Sequence, residues 1–343
     1  MSRVRVGFWI SQMSWLKTML PLAITAARAG CHTTINVLKS GKWNCAGSDQ
    51  SLQIIKQTVC QNNIDVKVNN FIESDVDFFI EGRHIDLSSA RKKISLIEND
   101  SYVIRIDGNM SGKLPTLYET YIDLVDHVVF PSKKFAEYYG LSSHKHLYLG
   151  HPQFDREFQI SNEDVINRLR LKEAKKRALV ILPKLKHLEK VDLIKIIDAL
   201  RETGHTVVTK TRGKDPYADP RLLGDQYFDD VTTPVSWFPY TTPLLLQVSD
   251  IAINFGSTAI FECIMKRTPV IDFDVKSHRN FPFLYDDESI KSLKRDSDLS
   301  IKDLSNLIRS QSPEIVKPMI ERYASSLGLK DQNIAEEILR NVL

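Results

Sequence analysis
The stretch from Ser249 to Phe273 leaves few ways for the backbone to run. Its apolar run, Ile251 to Phe255, is short enough for a buried strand. Gly256 permits a sharp turn, and Ser257 and Thr258 are residue types that cap helix starts. Ala259 to Lys266 then follows a helical pattern with Ile260, Cys263 and Ile264 turned inward. Lys266 and Arg267 favour the negative end of that helix, Pro269 stops it, and Val270 to Phe273 forms the next strand. Units of this kind build parallel sheets with helices on their faces. The turn gathers N–H groups and two hydroxyls at one helix start, which suits a phosphate. An ordinary, well-capped strand-turn-helix is the alternative.

The same alternation runs through the rest of the chain. Val4 to Ile10 reads as a strand, a helical pattern containing Pro21 is stopped by Gly30, and Cys31 to Leu38 reads as a second strand. A helix carrying Leu52, Ile55 and Val59 follows, with further strands at Val76 to Ile80, Tyr102 to Ile106, His127 to Phe130 and Leu147 to Leu149. Helical segments are expected at Leu117 to Leu124 and Phe135 to Tyr139. After a polar stretch with one helix and the charge run Lys172 to Arg177, a second alternation begins. It comprises a strand at Ala178 to Leu182, a helix at Val191 to Leu200 and a strand at Thr206 to Thr209. Asp215 to Trp237, with three prolines, reads as irregular, and Pro243 to Val248 as a short helix. Ile301 to Leu343 is mostly helical, with Ile334, Ile338 and Leu339 on one face.

A chain of 343 residues accommodates two such domains. The expected division is 1–155, a linker and helix at 156–177, a second domain at 178–325, and a C-terminal helix at 326–343 that packs back on the first domain. The fold class is α/β, two Rossmann-like domains facing a central cleft. No G-x-G-x-x-G follows the first strand, so a dinucleotide-binding reading lacks its main support. A net charge of +3 is too small to imply a nucleic-acid protein; the basic stretches near Lys172 and Lys184 keep a nucleic-acid acceptor open. Cys31, Cys45, Cys60 and Cys263 show neither metal spacing nor a disulfide framework and fit a reducing cytoplasm. No apolar run reaches the roughly 18 residues of a membrane span, and peripheral membrane contact stays an alternative. The first strand is too short and interrupted for a signal peptide. The oligomeric state is not legible.

In open α/β sheets, ligands bind beyond the carboxyl ends of the strands. Three such ends in the second half carry polar or basic groups: Pro183 to His187 with Lys184, Lys210 to Lys214 with Arg212, and Gly256 to Thr258. Two basic strand ends beside a hydroxyl-rich turn point to a polyanion such as a diphosphate.

Ser249 to Glu262, followed by Thr268 to Ile271, resembles the donor-site segment of GT-B glycosyltransferases. The likeness is greatest to the CDP-glycerol glycerophosphotransferase-like and UDP-GlcNAc 2-epimerase-like branches. Ile106 to Leu114 and Asp126 to Ser132 resemble the Trp-His-Gly-x-x-x-Lys segment and following strand of the former branch, with Lys113 one residue late. Gly150-His-Pro-Gln-Phe-Asp155 is similar to its Gly-x-Pro-x-x-Asp. Arg267-Thr268 stands where relatives commonly place Gly, a departure that bears on helix termination.

The resemblance implies a transferase moving a sugar from a nucleotide-diphosphate donor, with UDP favoured because it is the commonest carrier, to a hydroxyl acceptor in glycan or glycoconjugate synthesis. No cofactor and no metal is implied, because a helix N-terminus and basic side chains stabilise the departing diphosphate. By position, Gly256, Ser257 and Thr258 bind phosphate, Glu262 accepts from ribose hydroxyls, and Lys184, Lys210 and Arg212 offset donor charge. A solvated helix residue is the alternative for Glu262, and a surface pair for Lys210 and Arg212. Asp107 stands where the glycerophosphotransferase branch has His and is the candidate base, with a turn as its alternative. His151 is the other candidate, as base or phosphate ligand, against a hinge role beside Pro152. Trp9, Gln12 and Trp15 are candidates for the acceptor side, with core packing as the alternative, and Val235 to Pro239 for holding the base of the nucleotide. Rival functions are a nucleotide-sugar 2-epimerase or hydrolase, a CDP-glycerol-type glycerophosphotransferase, and a non-catalytic nucleotide-sugar-binding protein.

Overall fold
The computed structural model describes residues 4–10, 16–38, 49–59, 64–69, 78–81, 92–96, 125–138, 142–155, 159–185, 187, 191–211, 219–229, 240–275, 282–294, 298–329 and 333–343. The chain divides into two compact units, Met1–Gln159 with Leu327–Leu343, and Ile160–Ser326.

The first unit is a parallel sheet of β1 (Arg5–Ile10), β2 (His32–Leu38), β3 (Asp65–Asn69), β4 (Phe78–Glu81), β5 (Lys92–Leu96), β6 (His127–Phe130) and β7 (His146–Tyr148). The strand order is β3-β2-β1-β4-β5-β6-β7. Strand β1 lies inside the sheet, so its residues from Val6 onward are buried on both faces, as a near-continuous apolar run requires. Trp9 is part of that core, at 4% exposure. Helix α1 (Leu16–Arg28) buries Leu16, Met19, Leu20, Leu22 and Ala23. Each large apolar side chain so buried contributes about 1.5–3 kcal/mol. Helices α2 (Asp49–Val59) and α3 (Lys133–Tyr138) complete the described part of this unit, together with the returning C-terminal segment.

The second unit holds α4 (Asn162–Arg168), β8 (Arg177–Ile181), α5 (Leu193–Glu202), β9 (Thr206–Thr211), β10 (Gln226–Asp229), α6 (Thr241–Gln247), β11 (Ile251–Asn254), α7 (Ala259–Met265), β12 (Val270–Asp274), β13 (Ile290–Lys294), α8 (Ile301–Ser310) and α9 (Pro313–Ser326). Its sheet is parallel throughout, in the order β10-β9-β8-β11-β12-β13. Helix α5 places Leu193, Ile196, Ile197 and Leu200 on one face, spaced to meet the sheet at every turn. They join Val180, Val207, Ile253 and Ile271 of the strands and Leu304 and Ile308 of α8 in one core. The Asp192 side chain caps α5, and Ser300 with Asp303 forms a capping box at α8.

Four strands depart from the sequence expectation. Asp65–Asn69, Lys92–Leu96 and Ile290–Lys294 had no strand assigned, and Gln226–Asp229 lies in a stretch expected to be irregular. Three of them, β3, β10 and β13, are edge strands. With one neighbour each they need little apolar surface, and the pairing partner supplies what the sequence pattern lacks. Tyr102 to Ile106 and Leu117 to Leu124 lie outside the described residues.

The C-terminal helix α10 (Ile334–Val342) packs against α1 and the Pro152–Phe154 turn, burying Ile334, Ile338, Leu339 and Val342. Two glycines make room for the segment leading to it. Gly328 has φ 98° and Gly150 φ 93°, a region L side chains rarely enter, and their Cα atoms lie close together. A Cβ on Gly328 would collide with the Pro131 carbonyl oxygen. Strain and collision together set the expected cost of Gly328→Ala at about 2 kcal/mol or more, read as a lower urea midpoint with unchanged slope.

Candidate functional site
All four residues of β11 are buried, and Phe255 after it stacks on Phe273 at 5.6 Å between ring centroids. Gly256 turns the chain with φ 59°. A residue with a Cβ resists that conformation, so the turn depends on glycine. Ser257 and Thr258 are partly exposed, and α7 starts at Ala259. Neither hydroxyl caps the helix in the expected way. Thr258 makes no side-chain cap bond, and Ser257 Oγ is 3.4 Å from the Ala259 N–H, a long contact. The turn is fastened from behind instead. Asp272 Oδ1, on β12, accepts from the Gly256 N–H at 2.9 Å and from Asn254 Nδ2 at 2.5 Å. The same Asn254 amide donates to the Ser257 carbonyl at 3.1 Å. Asn254 and Asp272 are both 0% exposed.

Every strand of the second unit runs the same way, so all carboxyl ends share one edge of its sheet. Chain order reverses between β8 and β11, and such a reversal opens a crevice where α/β sheets take ligands. Beyond β8 come Leu182, Pro183 and the exposed Lys184; beyond β11 comes the Gly256–Thr258 turn. Lys210 stands at the end of the next strand out, 3% exposed, with its Nζ 3.3 Å from the Thr211 carbonyl oxygen. Lys210 is therefore a buried side chain at the carboxyl edge of the sheet and not a surface one. Arg212, its expected companion, lies outside the described residues, as do Asp107, Gln12, Trp15 and Val235 to Pro239.

No protein-family profile and no curated protein matches the chain by sequence. Solved structures do match by shape. The wall teichoic acid polymerase TagF superposes with a TM-score of 0.66 at 13% identity, over 99% of this chain and 88% of that one. A Listeria monocytogenes protein described as a UDP-N-acetylglucosamine 2-epimerase gives 0.61 at 10% identity, over 99% and 95%. The glycotransferase of kitacinnamycin gives 0.57 at 12% identity, with both chains covered in full, 100% each. The fold is GT-B. Its neighbours come from both branches that the motifs resemble.

Within this GT-B fold, Glu262 is not a solvated helix residue: it is buried at 7% exposure on a helix whose seven residues are all buried. Its charge acts on Lys266, one turn further on. Burial brings the Lys266 ammonium down to about 8 against the pull of Glu262. Burial also raises the Cys263 thiol, with Glu262 and Asp272 adding to the effect. Lys266 Nζ donates to Gln247 Oε1 at 3.2 Å, while Gln247 Nε2 donates to the Ile160 carbonyl at 2.7 Å. Arg267 takes the left-handed position after α7, φ 57°, where glycine serves better, and ion-pairs with Glu321 at 3.1 Å.

His151 has a structural use in the first unit. It is 2% exposed, its Nδ1 accepts from the Gln153 N–H at 3.3 Å, and its ring lies 5.4 Å from that of Phe154. These contacts give it a positional part in the Gly150 to Asp155 turn. Asn254 and Asp272 are the site residues that sequence reasoning missed. A polar residue at the end of one buried strand and another in the middle of its neighbour were the available signal. Among the described residues, no group of three or more His, Cys, Asp or Glu could hold a metal ion. No helix among them is long and apolar enough to cross a membrane.

The lowered Lys266 value has a definite sign. The unfolded chain holds that proton up to 10.5 and the folded chain only to about 8, so this group adds stability as pH rises through that window. Lys266→Met removes the gain. The variant's urea midpoint relative to wild type is expected to fall steadily from pH 8 to pH 10.5.

Proposed function
We propose that the protein is a glycosyltransferase that moves a sugar from a nucleoside-diphosphate donor, UDP-sugar by preference, to a hydroxyl acceptor of a glycan or glycoconjugate. The observation that carries this reading is the fastened Gly256–Ser257–Thr258 turn beside the strand-order reversal of the second unit of a GT-B fold. The turn offers Ser257 and Thr258 to the donor diphosphate, and Lys184 and Lys210 offset its charge as the sugar leaves. Such stabilisation works without a metal ion or other cofactor. Glu262 receives the ribose hydroxyls, and Arg212 adds charge on the donor side. Asp107 takes the proton of the acceptor hydroxyl. The setting is cytoplasmic, with the acceptor free or held at a membrane surface.

A nucleotide-sugar 2-epimerase is the second reading, favoured by the likeness to the Listeria monocytogenes protein described as one. It uses the same donor site and no acceptor. A thermal-shift panel of UDP, CDP, UDP-sugars and CDP-glycerol, followed by incubation of any hit without acceptor, separates the two. Transfer requires an acceptor; epimerisation of the donor alone overturns it.

Loss of both hydroxyls in Ser257→Ala with Thr258→Ala removes bonds to a charged group worth about 1.5–3 kcal/mol each, so nucleotide affinity is expected to fall at least tenfold in calorimetry. Unchanged affinity would sink the donor site. Asp107→Asn is expected to lower the transfer rate by about 100-fold or more with donor affinity retained. A full transfer rate in that variant would show that another group is the base.

A further inference from the structure
We infer that Asn254 and Asp272 are positioning residues, a buried pair that sets the Gly256–Ser257–Thr258 turn in the geometry that receives the donor diphosphate. The inference rests on the donor-site reading above for its ligand, and on the hydrogen bonds alone for its geometry.

Three bonds meet at this pair, and they link two neighbouring strands to the turn. Asp272, paired with Asn254 across β11 and β12, puts one carboxylate oxygen on the Gly256 N–H and on the Asn254 amide. Asn254 passes the constraint forward to the Ser257 carbonyl. A left-handed residue is thus held from its own N–H, and the next residue from its carbonyl, by groups with no solvent exposure. A buried carboxylate is expensive unless donors meet it, and the two bonds to Oδ1 offset part of that cost. The carboxylate further places negative charge behind a turn proposed to bind an anion. It makes the stronger bond to the Gly256 N–H, at the cost of some repulsion toward a diphosphate.

The two effects separate in variants. Asp272→Asn keeps an acceptor oxygen and removes the charge, whereas Asp272→Ala removes the acceptor. Asn254→Ala leaves Gly256 tied to Asp272 but releases the Ser257 carbonyl and takes one donor from the Asp272 carboxylate; it serves if Asp272→Ala does not fold. Two readouts apply to the full-length protein: hydrogen–deuterium exchange in peptides covering Asn254 to Thr258, and UDP affinity by calorimetry.

Asp272→Ala is expected to speed exchange at the turn by about 10-fold or more and to weaken UDP binding by a similar factor. Asn254→Ala is expected to weaken it about threefold. Asp272→Asn is expected to restore slow exchange and to bind UDP as tightly as wild type or tighter. Exchange at the turn that is unchanged in Asp272→Ala, or in Asn254→Ala where the former is unfolded, overturns the inference. So does equal loss of UDP affinity in Asp272→Asn and Asp272→Ala, because a merely structural charge would not be rescued by the amide. If wild type binds no nucleotide while exchange follows the expected order, the geometry stands and the donor-site reading fails.

Discussion
The pairing of β8 with β11 is what the second unit depends on, and one buried arginine fixes it. Arg177 is 6% exposed at the start of β8. Its backbone N–H donates to Asp250 Oδ2 at 2.7 Å, and its carbonyl accepts from the Asp250 N–H at 2.8 Å. Its guanidinium donates to the carbonyls of Val248 and Lys172 at 3.0 and 2.9 Å. Two segments 73 residues apart are thereby aligned before the first ladder pair, Ala178 with Ile251. Once they are aligned, the later strands fall on opposite sides, β9 and β10 beyond β8, and β12 and β13 beyond β11. The strand-order reversal is a consequence of this pairing, and the Gly256 turn stands beside it at the end of β11.

The first unit solves a different problem, that of holding a chain end. Asp155, at 0% exposure, accepts from the Ala335 N–H at the start of α10 at 2.7 Å. A carboxylate at a helix start satisfies an orphan donor and meets the positive end of the helix dipole. The neighbouring His151 and Pro152 shape the turn that carries Asp155, and Gly150 lets Gly328 pass close by. The motif Gly150 to Asp155, noticed first as a family mark, thus has a mechanical reason. Gly150 and Asp155 both meet the returning C-terminal segment, at Gly328 and Ala335.

Much of this was legible in the sequence. Strands β1, β6, β8 and β11 are central or well-buried runs, and each announces itself by a run of mostly apolar residues. Edge strands such as β10, where Gln226 and Tyr227 are only partly buried, leave no such trace and borrow their order from the neighbour. At the site, Gly256, Ser257 and Thr258 could be read locally because a turn and a helix start have local chemistry. Glu262 was legible in type and position, whereas its burial at 7% exposure was not. Amphipathic spacing says which face is apolar, but not how completely a sheet and its neighbouring helices cover the rest.

Sequence by itself determined the α/β class, the strand-turn-helix at Ile251 to Met265, and the candidate phosphate turn, because all three follow from periodicity and turn chemistry within about 15 residues. Tertiary structure alone decided the strand order, the burial of Lys210 and Glu262, and the tie from Asp272 to Gly256 across 16 residues. Those depend on which strands become neighbours. Neighbourhood in a parallel sheet is set by long-range pairing, and no local pattern of residues encodes it.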